Sequence, residues 1–125
     1  RQIPAIRGLS SSVEAACEHL AQAADHLMKS CRGSEVSTAY AFASSFLDAM
    51  GDVVLSWMLL QRADLAIRKL ESGPPEAVTR FCDGQIRSAE FFIRVLLPVT
   101  RGKMSSILDG CDAAARISTE AFGGL

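Results

Sequence analysis

Between Val36 and Leu70 the apolar residues fall into two interleaved series, both at helical spacing. One runs Val36, Tyr40, Ala43, Leu47, Met50, Val54, Trp57, in alternating steps of four and three. The other runs Ala39, Phe42, Phe46, Ala49, Val53, Leu60, Ala63, Ile67, Leu70, interrupted by Ser56. Steps of three and four place side chains on one face of a helix, so the pattern predicts one long helix with two apolar stripes. Ser34 or Ser37 supplies an N-terminal cap, and the helix is expected to reach about Ser72, roughly 50 Å at ~1.5 Å per residue. A helix at the rim of a bundle needs one stripe to face its core. A second stripe implies a second contact, and Phe42, Phe46, Val53, Leu60 and Ile67 are the expected interface residues.

Three further stretches carry the same period. Ser11 and Glu14 have the spacing of a capping box, followed by Val13, Cys17, Leu20, Ala24, Leu27 and Cys31, with Gly33 expected at positive φ just past the end. After Gly73-Pro74-Pro75, a third helix is predicted with a seam of Val78, Cys82, Ile86, Ala89, Ile93 and Leu96, ending or kinking at Pro98. Met104, Ile107, Leu108, Cys111, Ala114, Ala115, Ser118 and Phe122 predict a fourth. Short connections between long helices make neighbours antiparallel, so the expected fold is all-α, an up-down-up-down four-helix bundle.

Composition agrees with helices rather than sheets: the chain is 49% hydrophobic but only 6% aromatic, leaving the core to Ala, Leu, Val and Ile. At 125 residues it has the length of one domain. The chain opens on Arg1 without a methionine and stops at Gly123-Gly124-Leu125, so residues 1–125 are expected to be a single helical domain, the C-terminal piece of a longer protein. A net charge of −1 offers no electrostatic footprint for nucleic acid. No run of about 18 uninterrupted apolar residues marks a membrane span, and no signal segment opens the chain. Cys17, Cys31, Cys82 and Cys111 form no C-x-x-C pair and lie on the apolar stripes, which reads as buried reduced thiols in a cytoplasmic protein.

Candidate chemistry is sparse. Arg80, Arg87, Arg94 and Arg101 recur every seven residues, but Asp83 and Glu90 stand four before Arg87 and Arg94, the favourable order for pairs along a solvated helix face. Glu18-His19 and Asp25-His26 repeat at the same step without a Glu-x-x-His motif, so no metal site is expected. Asp48 and Asp52 share a polar side with Ser44, Ser45 and Arg62, and nothing convergent accompanies them. Trp57 and Met58 near Phe46 could line a pocket, although core packing is the default for such residues. Phosphate-binding glycine loops and nucleophile elbows are absent, and no catalytic or cofactor-binding residue is assigned.

Two segments carry a resemblance. The first is Ala41-Phe42-Ala43 through Asp48-Ala49-Met50-Gly51-Asp52-Val53-Val54-Leu55-Ser56-Trp57-Met58-Leu59-Leu60-Gln61-Arg62-Ala63. The second is Phe91-Phe92-Ile93-Arg94-Val95-Leu96-Leu97-Pro98 followed by a helix of small residues. Together they resemble the C-terminal helical domain of the larger bacterial acyl-CoA dehydrogenases, the group that includes methylmercaptopropionyl-CoA dehydrogenase. The resemblance implies a parent flavoprotein that desaturates an acyl-CoA thioester with FAD, its catalytic glutamate lying in a preceding domain. It implies no FAD site in this segment, and acyl-CoA as a substrate only through the parent. The implied partners are the catalytic part of the same protein or a second subunit of a homo-oligomer. Gly51 and Trp57 become packing positions. The alternative from the residues alone is a free-standing helical interaction module.

Overall fold

The computed structural model describes residues 3–123, with side chains from residue 6 onward, and all its regular elements are helical. They are α1 (Ile3–Arg32), α2 (Val36–Ala41), α3 (Ala43–Glu71), α4 (Glu76–Phe91), a π-helical turn (Phe92–Leu96), α5 (Leu97–Asp109), α6 (Ala113–Arg116) and a closing 3₁₀ turn (Thr119–Phe122). Three rods do the packing: α1, α3, and α4 joined through the π turn to α5. Leu9, Val13, Ala16 and Ala23 of α1 meet Ala49, Val53 and Ala63 of α3, with Ala89, Ile93, Leu97, Met104 and Ile107 from the third rod. The all-helical class stands; in place of four bundled helices the core is built from these three rods.

The difference has two causes, both in the last third of the chain. Pro98 lacks an N–H and its ring would strike the carbonyl four residues back in an unbroken α-helix. The rod does not end there. The Leu97 N–H bonds the Phe92 carbonyl, five residues back, and Pro98 then sits in the first turn of α5, where a missing donor costs little. A π turn takes in one extra residue and advances the seam by one. Leu96, expected inside, is 41% exposed, and Leu97 is 1% exposed in its place. Further on, Gly110 adopts φ +67° and closes α5 in the left-handed conformation that favours glycine. Beyond it Cys111, Ala114, Ala115, Ser118 and Phe122 are all exposed, so the expected fourth helix has its first half, Met104 to Leu108, in α5 and its second half as two short turns on the surface.

The start of the chain also departs from expectation. Helix α1 begins at Ile3 with Pro4 in its first turn, so Ser11 is interior and its Oγ bonds the Arg7 carbonyl (3.0 Å) instead of capping. Its inward face is Leu9, Val13, Ala16, Leu20, Ala23 and Leu27. That face is rotated from the expected stripe, leaving Cys17 and Cys31 exposed; of the four thiols only Cys82 is buried. Gly33 does not take positive φ; among the described residues Gly73, Gly110 and Gly123 do. The long second helix breaks at Phe42 (φ −97°, ψ 0°), and neither Ser34 nor Ser37 caps α2, whose N-cap is Glu35.

Candidate docking surface

Helix α3 is apolar on both sides, and the structure decides which side belongs to the chain's own core. Ala49, Ser56 and Ala63, spaced by seven, are each fully buried. Small residues at these positions let neighbouring rods approach closely. The Ser56 hydroxyl donates to the Val53 carbonyl at 2.7 Å, which satisfies it in a place with no water. Val53 is part of this core, Phe42, Phe46 and Leu60 pack against it, and Ile67 is half-buried. Four of the five residues expected at an interface thus pack against the chain's own core, and Ile67 keeps part of its surface open.

The other stripe faces outward. Tyr40, Leu47, Met50, Val54, Trp57, Met58 and Leu65 are all exposed, Leu47 by 63% and Trp57 by 50%. Only 17% of the most apolar stretch of α3 is buried within the chain, and by length and composition the helix could cross a membrane. Gly51 lies on the same outward side, with nothing within 4 Å of the place a Cβ would occupy. The close approach that would offset a mid-helix glycine, which costs ~1 kcal/mol against alanine, is not made within the chain. An uncovered apolar face of this length marks a contact surface. A second, smaller one lies on the third rod, where Phe81, Phe91, Val95 and Val99 are exposed.

Polar contacts fill the sides between these faces. The Thr100 hydroxyl donates to Asp52 Oδ2 at 2.7 Å, and Lys103 Nζ lies 3.8 Å from Asp48. The two carboxylates considered for acid–base work thus brace α3 against α5. The arginine series is tied along its own rod: Arg80 to Glu76, Arg87 to Asp83 (3.6 Å) and Glu90 (3.2 Å), Arg94 to Glu90 (3.8 Å). Pairs this exposed add little stability. Among the open grooves beside α3, two bear on Trp57 and Phe46. One, of about 570 Å³, has Ile6, Trp57, Leu60 and Leu65 in its walls. The other, of about 540 Å³, has Leu27, Met28, Tyr40 and Phe46. Trp57 and Phe46 line different grooves, so they do not form a shared pocket.

The histidines stand apart. His26 lies against Gly110. His19 accepts a bond from Arg101 Nε at 3.5 Å. Partial burial, and then the Arg101 charge, hold the His19 imidazole below its ordinary value of 6.5. Folding thus favours the neutral ring. Its contribution to stability is complete above the ordinary value and is lost as pH falls through the lowered folded value. His19→Gln is expected to flatten this part of a melting-temperature profile taken from about pH 8 to about pH 5. An unchanged slope would show that His19 does not titrate with folding.

The fold and its surface define a helical bundle with apolar faces turned outward. The chain belongs to the family described as acetyl-CoA dehydrogenase C-terminal like, whose model matches residues 3–118. It is also 32% identical over 54 residues to FadE5 of Mycobacterium tuberculosis, a broad-specificity linear acyl-CoA dehydrogenase. That match takes in 43% of this chain and 9% of the relative's length.

Proposed function

We propose that this domain is the non-catalytic accessory bundle of an FAD-dependent acyl-CoA dehydrogenase, the parent enzyme introducing an α,β double bond into an acyl-CoA thioester in the cytoplasm. The bundle packs on the catalytic part of the enzyme or at a subunit interface of a homo-oligomer. The observation that carries this reading is the uncovered apolar stripe of α3, which an isolated domain has no reason to keep. Family membership supports this reading, and FadE5, similar over part of the chain, is an acyl-CoA dehydrogenase.

Neither the groove by Trp57 nor the groove by Phe46 has a glycine in its lining. Recognition of FAD calls for backbone donors at a glycine-rich turn, or unpaired cations, for its pyrophosphate. Arg68, beside Trp57 in the larger groove, is paired to Asp64 at 2.9 Å. The groove by Phe46 is walled mainly by apolar side chains, with Arg32 as its one charged residue. In this reading flavin and thioester chemistry belong to the rest of the parent enzyme, and this chain contributes surface.

The test is the visible spectrum of the protein expressed from its uncut reading frame. A flavin spectrum that bleaches on addition of an acyl-CoA is the expected result. A colourless protein of about this length would overturn the reading and leave a helical interaction module.

A further inference from the structure

The outward stripe of α3 has an order of its own. Leu47, Gly51, Val54, Met58, Gln61 and Leu65 follow one another at steps of four, three, four, three and four, the spacing of a coiled-coil seam. All six are exposed, and none is charged. Directly opposite them on the helix stand Ala49, Ser56 and Ala63, all fully buried in the chain's own core. The seam therefore points straight away from the bundle, as a helix presented to a facing helix must.

We infer that the occupant of this seam is α3 of a second copy of this chain, running antiparallel about a two-fold axis near Ser56. This rests on the reading of the bundle as a packing domain. The seam is complementary to itself in that direction. Leu47 meets Leu65, Val54 meets Met58, and the gap at Gly51 receives the long side chain of Gln61, each pairing occurring twice by symmetry. The flanks agree. On one, Asp48 of each copy comes beside Arg62 of the other, and Leu55 meets its own equivalent. Among the described residues Arg62 makes no ion pair, while Asp48 has only a long contact to Lys103 and stays 62% exposed. On the other flank, Trp57 meets Trp57 across the axis, covering two half-exposed indoles.

The same charges count against lipid as the occupant. Asp48 and Arg62 border the apolar stretch from within, and a hydrocarbon environment would leave both without water. A protein surface with matching charges does not.

The experiment uses the full-length protein in which the exposed Cys17, Cys31 and Cys111 are replaced by serine, and the same background without an added thiol is the blank for cross-linking. Trp57→Cys is treated with a short bismaleimide, and Ser105→Cys, at an exposed polar position of the third rod, serves as the control site. Trp57→Cys is expected to give a covalent dimer and Ser105→Cys to stay a monomer on denaturing gels. Asp48→Arg or Arg62→Asp, added singly, should lower self-association on the order of tenfold, and the two together should restore it. Failure of Trp57→Cys to cross-link in a sample of unchanged helicity overturns the proposal, because another part of the enzyme then covers the seam. Cross-linking without rescue by the charge swap overturns the antiparallel register. The flavin spectrum of the same samples, with and without an acyl-CoA, reports separately on the reading of the parent enzyme.

Discussion

Leu97→Ala is expected to destabilise the domain by about 3 kcal/mol, whereas Leu96→Ala, one residue away and chemically the same change, should cost less than about 1 kcal/mol. Leu97 is 1% exposed and belongs to the core with Ile93, Met104 and Ile107; Leu96 is 41% exposed. Removing three buried carbons loses their transfer free energy and opens a cavity that well-packed neighbours fill only in part. Removing the same atoms at the surface loses little. In a straight α-helix continuing the seam from Ala89 and Ile93, position 96 follows by a step of three. The contrast between the two variants therefore reports on the π turn itself. Equilibrium denaturation of both measures it, and a larger loss at Leu96 would show that the rod passes Pro98 without the extra residue.

The same turn explains part of what the sequence could and could not reveal. Periodicity locates the bodies of α1, α3 and α4 well, because many residues at steps of three and four leave few alternatives, and it misplaces the start of α1 and the continuation of the third rod through Pro98. Phase is harder to read. A π turn changes phase without changing composition, and nothing between Phe92 and Leu96 announces it except the proline that follows. On α1 the stripe of Cys17, Ala24 and Cys31 is as regular as the inward one through Ala16 and Ala23; alanines and cysteines are too alike in polarity to rank. At the far end Gly110 is legible as a stop, yet Cys111, Ala114 and Ala115 continue the helical spacing beyond it.

The candidate surface was legible as a pair of stripes, and their assignment to inside and outside was not. Hydrophobicity alone favours large side chains for a core and so cannot separate Leu47, Val54 and Trp57 from Phe42, Phe46 and Leu60. Close helix packing selects by size instead. Ala49, Ser56 and Ala63 repeat every seven residues, and that small-residue row was the available signal. A serine there reads as an interruption of an apolar stripe, when it is a fully buried position of the core. The bulky stripe is left for a surface with more room.

Ser56 is accordingly the position where size should matter most. Ser56→Leu is expected to destabilise the domain by about 3 kcal/mol, while Ser56→Ala should stay within about 1 kcal/mol of the parent. The serine is fully buried, and its hydroxyl is bound to the Val53 carbonyl of its own helix at 2.7 Å. Alanine removes donor and desolvation cost together, and the carbonyl keeps its place in the helical ladder. Leucine adds three carbons where no room exists, so either its side chain leaves its preferred rotamers or α3 moves away from its neighbours. Moving α3 would also strain the Thr100–Asp52 bond that braces it against α5. Chemical denaturation, with near-ultraviolet dichroism to follow side-chain packing around Trp57, distinguishes the cases. A Ser56→Leu variant as stable as the parent would place the small-residue row on the outside of the bundle, and the outward seam of α3 with it on the inside.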